Sequence, residues 1–326
     1  MMMKPLYSKP LILSRRLKTK SRTHHNNLVM SECNVELSGE AAAELIFKCL
    51  SSPQPSMICR FGYNELNCTL TYYFRNKRWP FSQKAARYIK GEIHKFWWDE
   101  AHFFNMRNNA GFFPVDEKHL DRFGKLMLED IGTIDILGSW IKEERLLYPF
   151  FQDAVKVSIK DLEPYYHPTP WSRVLEGKKV LVIHPFEKSI RQQYAKRTRI
   201  FNDLRVLPEF ELKTLKAIQS IANNTVAYST WFDALQAMRD QISTIDFDIA
   251  LIGCGAYGLP LAAHVKRLGK KAVHLGGATQ ILFGIKGKRW EESVPQVSRL
   301  FNRHWIRPSS LEVPQNYQNI EEGCYW

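Results

Sequence analysis

Short, wholly apolar runs closed by glycine or a turn recur along the C-terminal half of the chain. They alternate with segments whose apolar residues return every three or four positions. Val180-Leu181-Val182-Ile183 leads into His184-Pro185-Phe186, and Ile249-Ala250-Leu251-Ile252 into Gly253-Cys254-Gly255, while Lys271-Ala272-Val273-His274-Leu275 ends at Gly276-Gly277. Runs of this kind suit strands covered on both faces of a parallel sheet. The spacing between them predicts a helix from Glu187 toward Phe201, an edge strand over 210–213, an amphipathic helix over 230–240, and a helix over 259–268 closed by Gly269. Residues 178–277 thus read as β-α-β-α-β-α-β, a Rossmann-like open doubly wound, mostly parallel α/β sheet.

Upstream, Ser38-Gly39-Glu40 opens a helix that runs to Leu50, Met57-Ile58-Cys59-Arg60-Phe61-Gly62 is a short buried strand, and a second helix starts at Tyr63. From 82 to 150 the pattern is helical and aromatic-rich, with Trp97-Trp98, Phe103-Phe104, Phe112-Phe113 and Trp140 assigned mostly to the core and a strand at 134–138. The expected organisation is a disordered basic arm over 1–35 and a single α/β domain over 36–326. Within that domain, 36–175 is helical-rich, 176–290 carries the Rossmann-like βαβ part and 291–326 is a C-terminal extension.

Charge changes the picture mainly at the N-terminus. The formal net charge is +13. Residues 1–31 hold Lys4, Lys9, Arg15, Arg16, Lys18, Lys20 and Arg22 without one acid, so the rest of the chain is only mildly basic. The composition predicts a solvated, disordered arm, with a loose hold on anionic membrane at the inner face as its functional alternative. Nucleic acid is not expected, because no basic helix or RNP-like strand accompanies the arm. The longest apolar run is about ten residues, against roughly 18 to 20 for a membrane span. Six cysteines without a CxxC pair suit free thiols in a reducing, cytoplasmic compartment. His24-His25 lies in the polar tail and the other histidines are scattered, so no structural metal is expected.

Ligands of doubly wound sheets bind beyond the carboxyl ends of the strands, which directs attention to three strand ends. Gly253-Cys254-Gly255-Ala256-Tyr257-Gly258 spells GxGxxG between a strand and a helix, where glycines admit a phosphate and the helix start offers amide donors. An NAD site wants an acid at the end of the following strand. Here that position is Leu275-Gly276-Gly277, and Pro260 delays the helix, so a non-dinucleotide phosphate ligand is favoured over NAD, with a structural glycine turn as the alternative. His184 ends an apolar strand as a ligand contact or a satisfied core histidine. Arg60 and Glu65 bracket a strand-to-helix turn, either clamping phosphate and accepting a proton or forming an internal ion pair. Lys286-Gly287-Lys288-Arg289-Trp290 is a basic loop that neutralises a diphosphate or forms a solvated face.

Several of these segments together resemble a family: Arg60-Phe61-Gly62-Tyr63-Asn64-Glu65, residues 180–186 with Ser189-Ile190, 250–262, His274-Leu275-Gly276-Gly277, 283–290 and Glu322-Gly323-Cys324-Tyr325-Trp326. The combination is similar to the bacterial GT-D-like proteins, relatives of GT-D-fold glycosyltransferases that often accompany surface-polysaccharide assembly. The resemblance covers roughly residues 55–326, most specifically 250–290, and leaves the arm outside. It implies a transferase that takes a sugar from a nucleotide-sugar donor to a saccharide or lipid-linked acceptor. In that family the strand-end Arg-Phe-Gly is followed by Asp-Gly-Glu, whose acids are tied to manganese and the sugar nucleotide. In this chain Tyr63 stands in the place of the Asp, Asn64 of the Gly and Glu65 of the Glu. A Mn or Mg ion at Glu65 would then have one carboxylate and one phenol. Either Glu65 works with another acid such as Asp135, or the 286–289 loop replaces the metal. The candidate set is Glu65 and Arg60 as catalytic residues and Glu65 as metal ligand. The binding candidates are Gly62, His184, Ser189, Gly253, Gly255, Tyr257, Gly258, Gly276, Gly277, Lys288 and Arg289. The alternative function is a non-catalytic nucleotide-sugar or polysaccharide-binding protein that lost the Asp; an NAD-linked oxidoreductase ranks third.

Overall fold

The computed structural model describes residues 7–23, 35–320 and 323–326. Its strands are β1 (Ser56–Cys59), β2 (Ile136–Ser139), β3 (Val155–Ser158), β4 (Lys179–His184), β5 (Glu211–Lys216), β6 (Ile249–Ile252) and β7 (Lys271–His274). All pair in parallel in one seven-stranded sheet of order β3-β2-β1-β7-β6-β4-β5. The chain builds one wing outward from β1, crosses to the other wing at β4, adds β5 outside it and then fills inward through β6 to β7. The seam between the wings is the β1–β7 pair.

Side chains alternate across this sheet, which is why its strands read as continuous apolar runs. Met57, Leu181, Ile183, Ala250, Ile252 and Ala272 enter one core, whereas Ile58, Val180, Val182, Ile249, Leu251 and Val273 enter the other. The first core is covered by α3 (Tyr63–Arg75), α4 (Phe81–Lys90), α5 (Glu100–Asn108), α6 (Glu117–Ile131), α8 (Trp231–Thr244) and α9 (Gly258–Arg267). The second is covered by α2 (Glu40–Ser51), α7 (Glu187–Tyr194), α10 (Ala278–Leu282) and α11 (Lys288–Ser293), together with Trp171, Trp305 and Trp326. Helix starts follow local chemistry: Asp99 and Asp116 cap α5 and α6, and Thr230 with Asp233 forms a reciprocal box on α8.

Two expectations are corrected. Residues 8–23 of the expected disordered arm form helix α1 (Ser8–Thr23) docked on α4. Leu11 is buried, Tyr7 meets the rings of Phe81, Phe96 and Trp97, and the Arg15 guanidinium lies 4.6 Å from the centre of the Tyr88 ring. Composition missed this because the docking stripe is narrow and one of its members is an arginine stem. The arm's remaining residues, 1–6 and 24–34, lie outside the described residues. The second correction is β3, an unpredicted edge strand whose buried Lys156 breaks the apolar pattern and pairs with Glu36 at 2.9 Å. Among the described residues no helix is long and apolar enough to cross a membrane.

Gly124 of α6 lies so close to Tyr72 of α3 that an added Cβ would collide with its Cβ and ring. Because α3 starts at the site, this crossing sets its angle. Gly124→Ala should lower the unfolding free energy by about 1–3 kcal/mol in urea titrations; an unchanged midpoint would show that the helices separate freely.

Candidate functional site

A cavity of about 360 Å³ opens over the carboxyl ends of β1, β4, β6 and β7. Every one of these strands hands a polar or glycine residue to it as it ends: Arg60 after β1, His184 on β4, Gly253 after β6, and His274 and Gly276 on and after β7. The position is the one an open parallel sheet reserves for ligands.

Arg60 is held from both sides. Its Nε donates to the Phe61 carbonyl at 3.2 Å, and its guanidinium lies over the Trp140 indole, 4.8 Å from the ring centre. Trp140 Nε1 donates to the same Phe61 carbonyl at 2.9 Å, so the ring and the cation share one anchor. Burial pushes the Arg60 guanidinium below its ordinary value, against the opposing fields of Tyr325, Glu65 and Glu163. Arg289 approaches from α11: its side chain donates to Tyr325 Oη and Cys324 Sγ, and its guanidinium lies 4.8 Å from the Tyr325 ring centre. Both arginines line the cavity.

The glycines differ in their reasons. Gly255 has φ +56° with open space where a Cβ would go, so its conformation alone requires glycine. Gly253 is required by contact, since a Cβ would lie 2.5 Å from Thr279 Oγ1 and 2.7 Å from His184 Cδ2. Gly62, Gly276 and Gly277 also line the cavity. Gly258 does not; a Cβ there would strike the His274 ring, so the third glycine of the motif serves packing.

Burial holds His184 and His274 down at about 3, so both rings are neutral. Nδ1 of His184 accepts from the Phe186 amide at 2.9 Å, which leaves the proton of the neutral ring on Nε2. Tyr257 lines the cavity with its ring stacked 4.8 Å from Trp231, and its hydroxyl meets Ser220 Oγ at 3.3 Å. Ser220 Oγ donates to the Gly111 carbonyl at 2.6 Å, so it accepts from the tyrosine.

Other candidates fall elsewhere. Ser189 is buried beneath the C-terminal segment, donating to Glu312 at 2.5 Å and accepting from the Ser309 amide at 2.9 Å. Lys288 lines a separate surface hollow with Arg307 and Tyr317. Asp135 precedes β2 at the opposite end of the sheet, where it accepts from the Met57 amide and pairs with Lys266 at 2.7 Å, so it is no partner for Glu65. Glu65 lines the cavity but folds back over Gly62, the N-cap of α3. Glycine offers that helix start no side-chain cap, and an acid three residues on suits the exposed amides. Exposed Tyr63 also lines the cavity. Among the described residues no group of three or more His, Cys, Asp or Glu side chains is arranged to hold a metal ion.

Trp140, Glu163, Ser220, His274, Tyr325 and Trp326 line the cavity without having been site candidates, although His274, Tyr325 and Trp326 lie in segments that carry the resemblance. The strand-end rule would have found Trp140 and His274. Glu163 is half-buried in an irregular turn; desolvation raises its carboxyl, and it accepts from Tyr165 Oη. Tyr325 and Trp326 reach the cavity because the C-terminal segment folds back, with Gln280 Nε2 donating to the Tyr325 carbonyl at 3.1 Å.

Comparison of the chain with family models, with curated proteins and with solved structures returns no match.

Buried Glu144 fixes the Trp140 wall by accepting from Ser139 Oγ at 2.5 Å and from the amides of Trp140 and Ile141. Burial raises its carboxyl from 4.5 to about 7. The folded state therefore holds this proton more tightly than the unfolded chain. That contribution is complete below the ordinary value of 4.5 and is lost as pH rises through 7. Glu144→Gln cannot titrate, so the stability of the wild type relative to this variant should fall by about 1 kcal/mol per pH unit across that window and level off above it. Urea midpoints of both proteins across pH measure this; a difference that is flat with pH would refute it.

Proposed function

We propose that the cavity binds a nucleotide-activated sugar and that the protein is a glycosyltransferase acting on a saccharide or lipid-linked acceptor. One observation carries the reading: Arg60 and Arg289 line a cavity with the glycine-bearing ends of β6 and β7 and with Trp140, Trp290, Tyr325 and Trp326. Guanidinium forks match phosphate oxygens. Glycine-lined backbone admits a diphosphate closely, and aromatic faces suit a base or a sugar ring. The resemblance to GT-D-like proteins points the same way.

In this reading Glu65 accepts the proton of the acceptor hydroxyl, whose oxygen bonds to the anomeric carbon as that carbon's bond to the diphosphate breaks. The nucleoside diphosphate leaves with its charge offset by Arg60 and Arg289. Lys288, which lines the separate hollow, has no part. A second reading, a non-catalytic nucleotide-sugar-binding protein, is favoured by the position of Glu65 against the start of α3, where a carboxylate has a purely structural use.

Thermal unfolding against UDP-, GDP-, dTDP- and CMP-sugars and NAD tests the binding. One nucleotide sugar should raise the midpoint, by the equivalent of about 2.7 kcal/mol at a hundredfold excess over Kd, and Arg289→Ala should remove most of the shift. No response to any nucleotide sugar, or a response to NAD alone, would overturn the reading. Glu65→Gln separates the two functions. A transferase should lose about a hundredfold or more in turnover with donor affinity retained, whereas a binding protein shows only a small loss of stability.

A further inference from the structure

The tertiary structure brings together two segments that are far apart in the chain and alike in charge. Residues 8–18 carry Lys9, Arg15, Arg16 and Lys18, and residues 75–90 carry Arg75, Lys77, Arg78, Lys84, Arg87 and Lys90, with no acid in either segment. These ten cations compare with a net charge of +13 for the whole chain. Helices α1 and α4 pack side by side through Tyr7 on Phe81, whose ring centres are 4.9 Å apart, and Arg15 on Tyr88. Among the described residues, Glu117 and Asp121 of α6 pair with Arg75, and Glu92 pairs with Arg87.

Docking uses one stripe of α1, made by Leu11, Ile12 and Arg15, and leaves another open. On the open stripe Leu13 and Leu17, one helical turn apart, are 59% and 62% exposed, with Lys9, Arg16 and Lys18 exposed around them. Phe81, at the start of α4, is 50% exposed. Large apolar side chains set among cations gain nothing on a purely polyanionic surface such as a nucleic-acid backbone. They gain on a bilayer, where the apolar groups enter the boundary between headgroups and acyl chains while the cations meet lipid phosphates.

We infer that α1, backed by the 75–90 segment, is a docking face for an anionic phospholipid bilayer, with Leu13 and Leu17 as the inserting residues. This goes beyond the sequence expectation of a disordered tether, because the helix is fixed to the body and holds the domain against the surface in one orientation. It is independent of what the cavity binds.

The test is co-sedimentation of the full chain with vesicles of phosphatidylcholine alone and of phosphatidylcholine with phosphatidylglycerol. Binding should occur only to the anionic vesicles and weaken with salt. The triple variant Lys9→Glu, Arg16→Glu, Lys18→Glu should bind about a hundredfold more weakly, and Leu13→Ser with Leu17→Ser about tenfold more weakly. All five positions are exposed, so the thermal midpoint of each variant should match the wild type. Absence of binding to anionic vesicles, equal binding to neutral ones, or binding unmoved by either set would overturn the inference. Binding to a nucleic-acid duplex that the charge reversals abolish and the leucine changes leave intact would replace lipid by nucleic acid.

Discussion

The site exists because β1 and β7 pair. Met57 and Ile58 lie in register with Ala272 and Val273, and this is where the wing built from the first half of the chain meets the wing built from the second. The buried pairing has an apolar core on each face. Just beyond it the chain changes character: Arg60 follows Cys59, and Gly276 follows His274 by two residues. A Cβ on Gly276 would lie 3.6 Å from Arg60 Cδ, so the two wings touch through a guanidinium and a bare backbone. A slip of this register by one residue would turn Arg60 toward the opposite face.

Around that contact the floor of the cavity is polar without being charged. His184 and His274 are kept neutral by burial. The formal charges at the cavity sit on its walls, with Arg60 and Arg289 opposing Glu65 and Glu163, and these walls are aromatic. Arginine is suited to this setting, because its delocalised cation tolerates partial burial and stacks on an indole where an ammonium would need its water. The cavity therefore presents guanidinium donors and aromatic faces, while the C-terminal segment completes the enclosure with Tyr325 and Trp326.

What was legible in the chain follows from which features are local. The runs at Val180, Ile249 and Lys271 became β4, β6 and β7, and the strand read over 57–62, which ends earlier, at Cys59, became β1, since burial on both faces leaves an uninterrupted apolar signature. Of the candidate residues, Arg60, Gly62, Glu65, His184, Gly253, Gly255, Tyr257, Gly276, Gly277 and Arg289 line the cavity because strand ends and the loops beyond them converge in any open parallel sheet. Residues delivered by irregular segments were illegible. Glu163 lies in a turn without periodicity, and Tyr325 arrives only by the fold-back of the C-terminal segment. Ser189 and Lys288 failed for the complementary reason: they neighbour the right elements, but one faces Glu312 and the other a different hollow. Helix α1 was hidden because its partner, α4, lies some seventy residues downstream.

The β1–β7 seam also has a consequence for how the chain is made. The partner of Ser56 is Lys271, more than two hundred residues later. At about 5–20 residues per second of synthesis, β1 therefore waits roughly 10–40 s for β7, at first alone and then with β2 on one side and an open edge on the other. That edge is the apolar stretch Met57-Ile58-Cys59, which other chains can pair with. The nascent protein is thus exposed to intermolecular strand pairing for the whole interval, and its yield depends on what shields that edge while the second wing is being built.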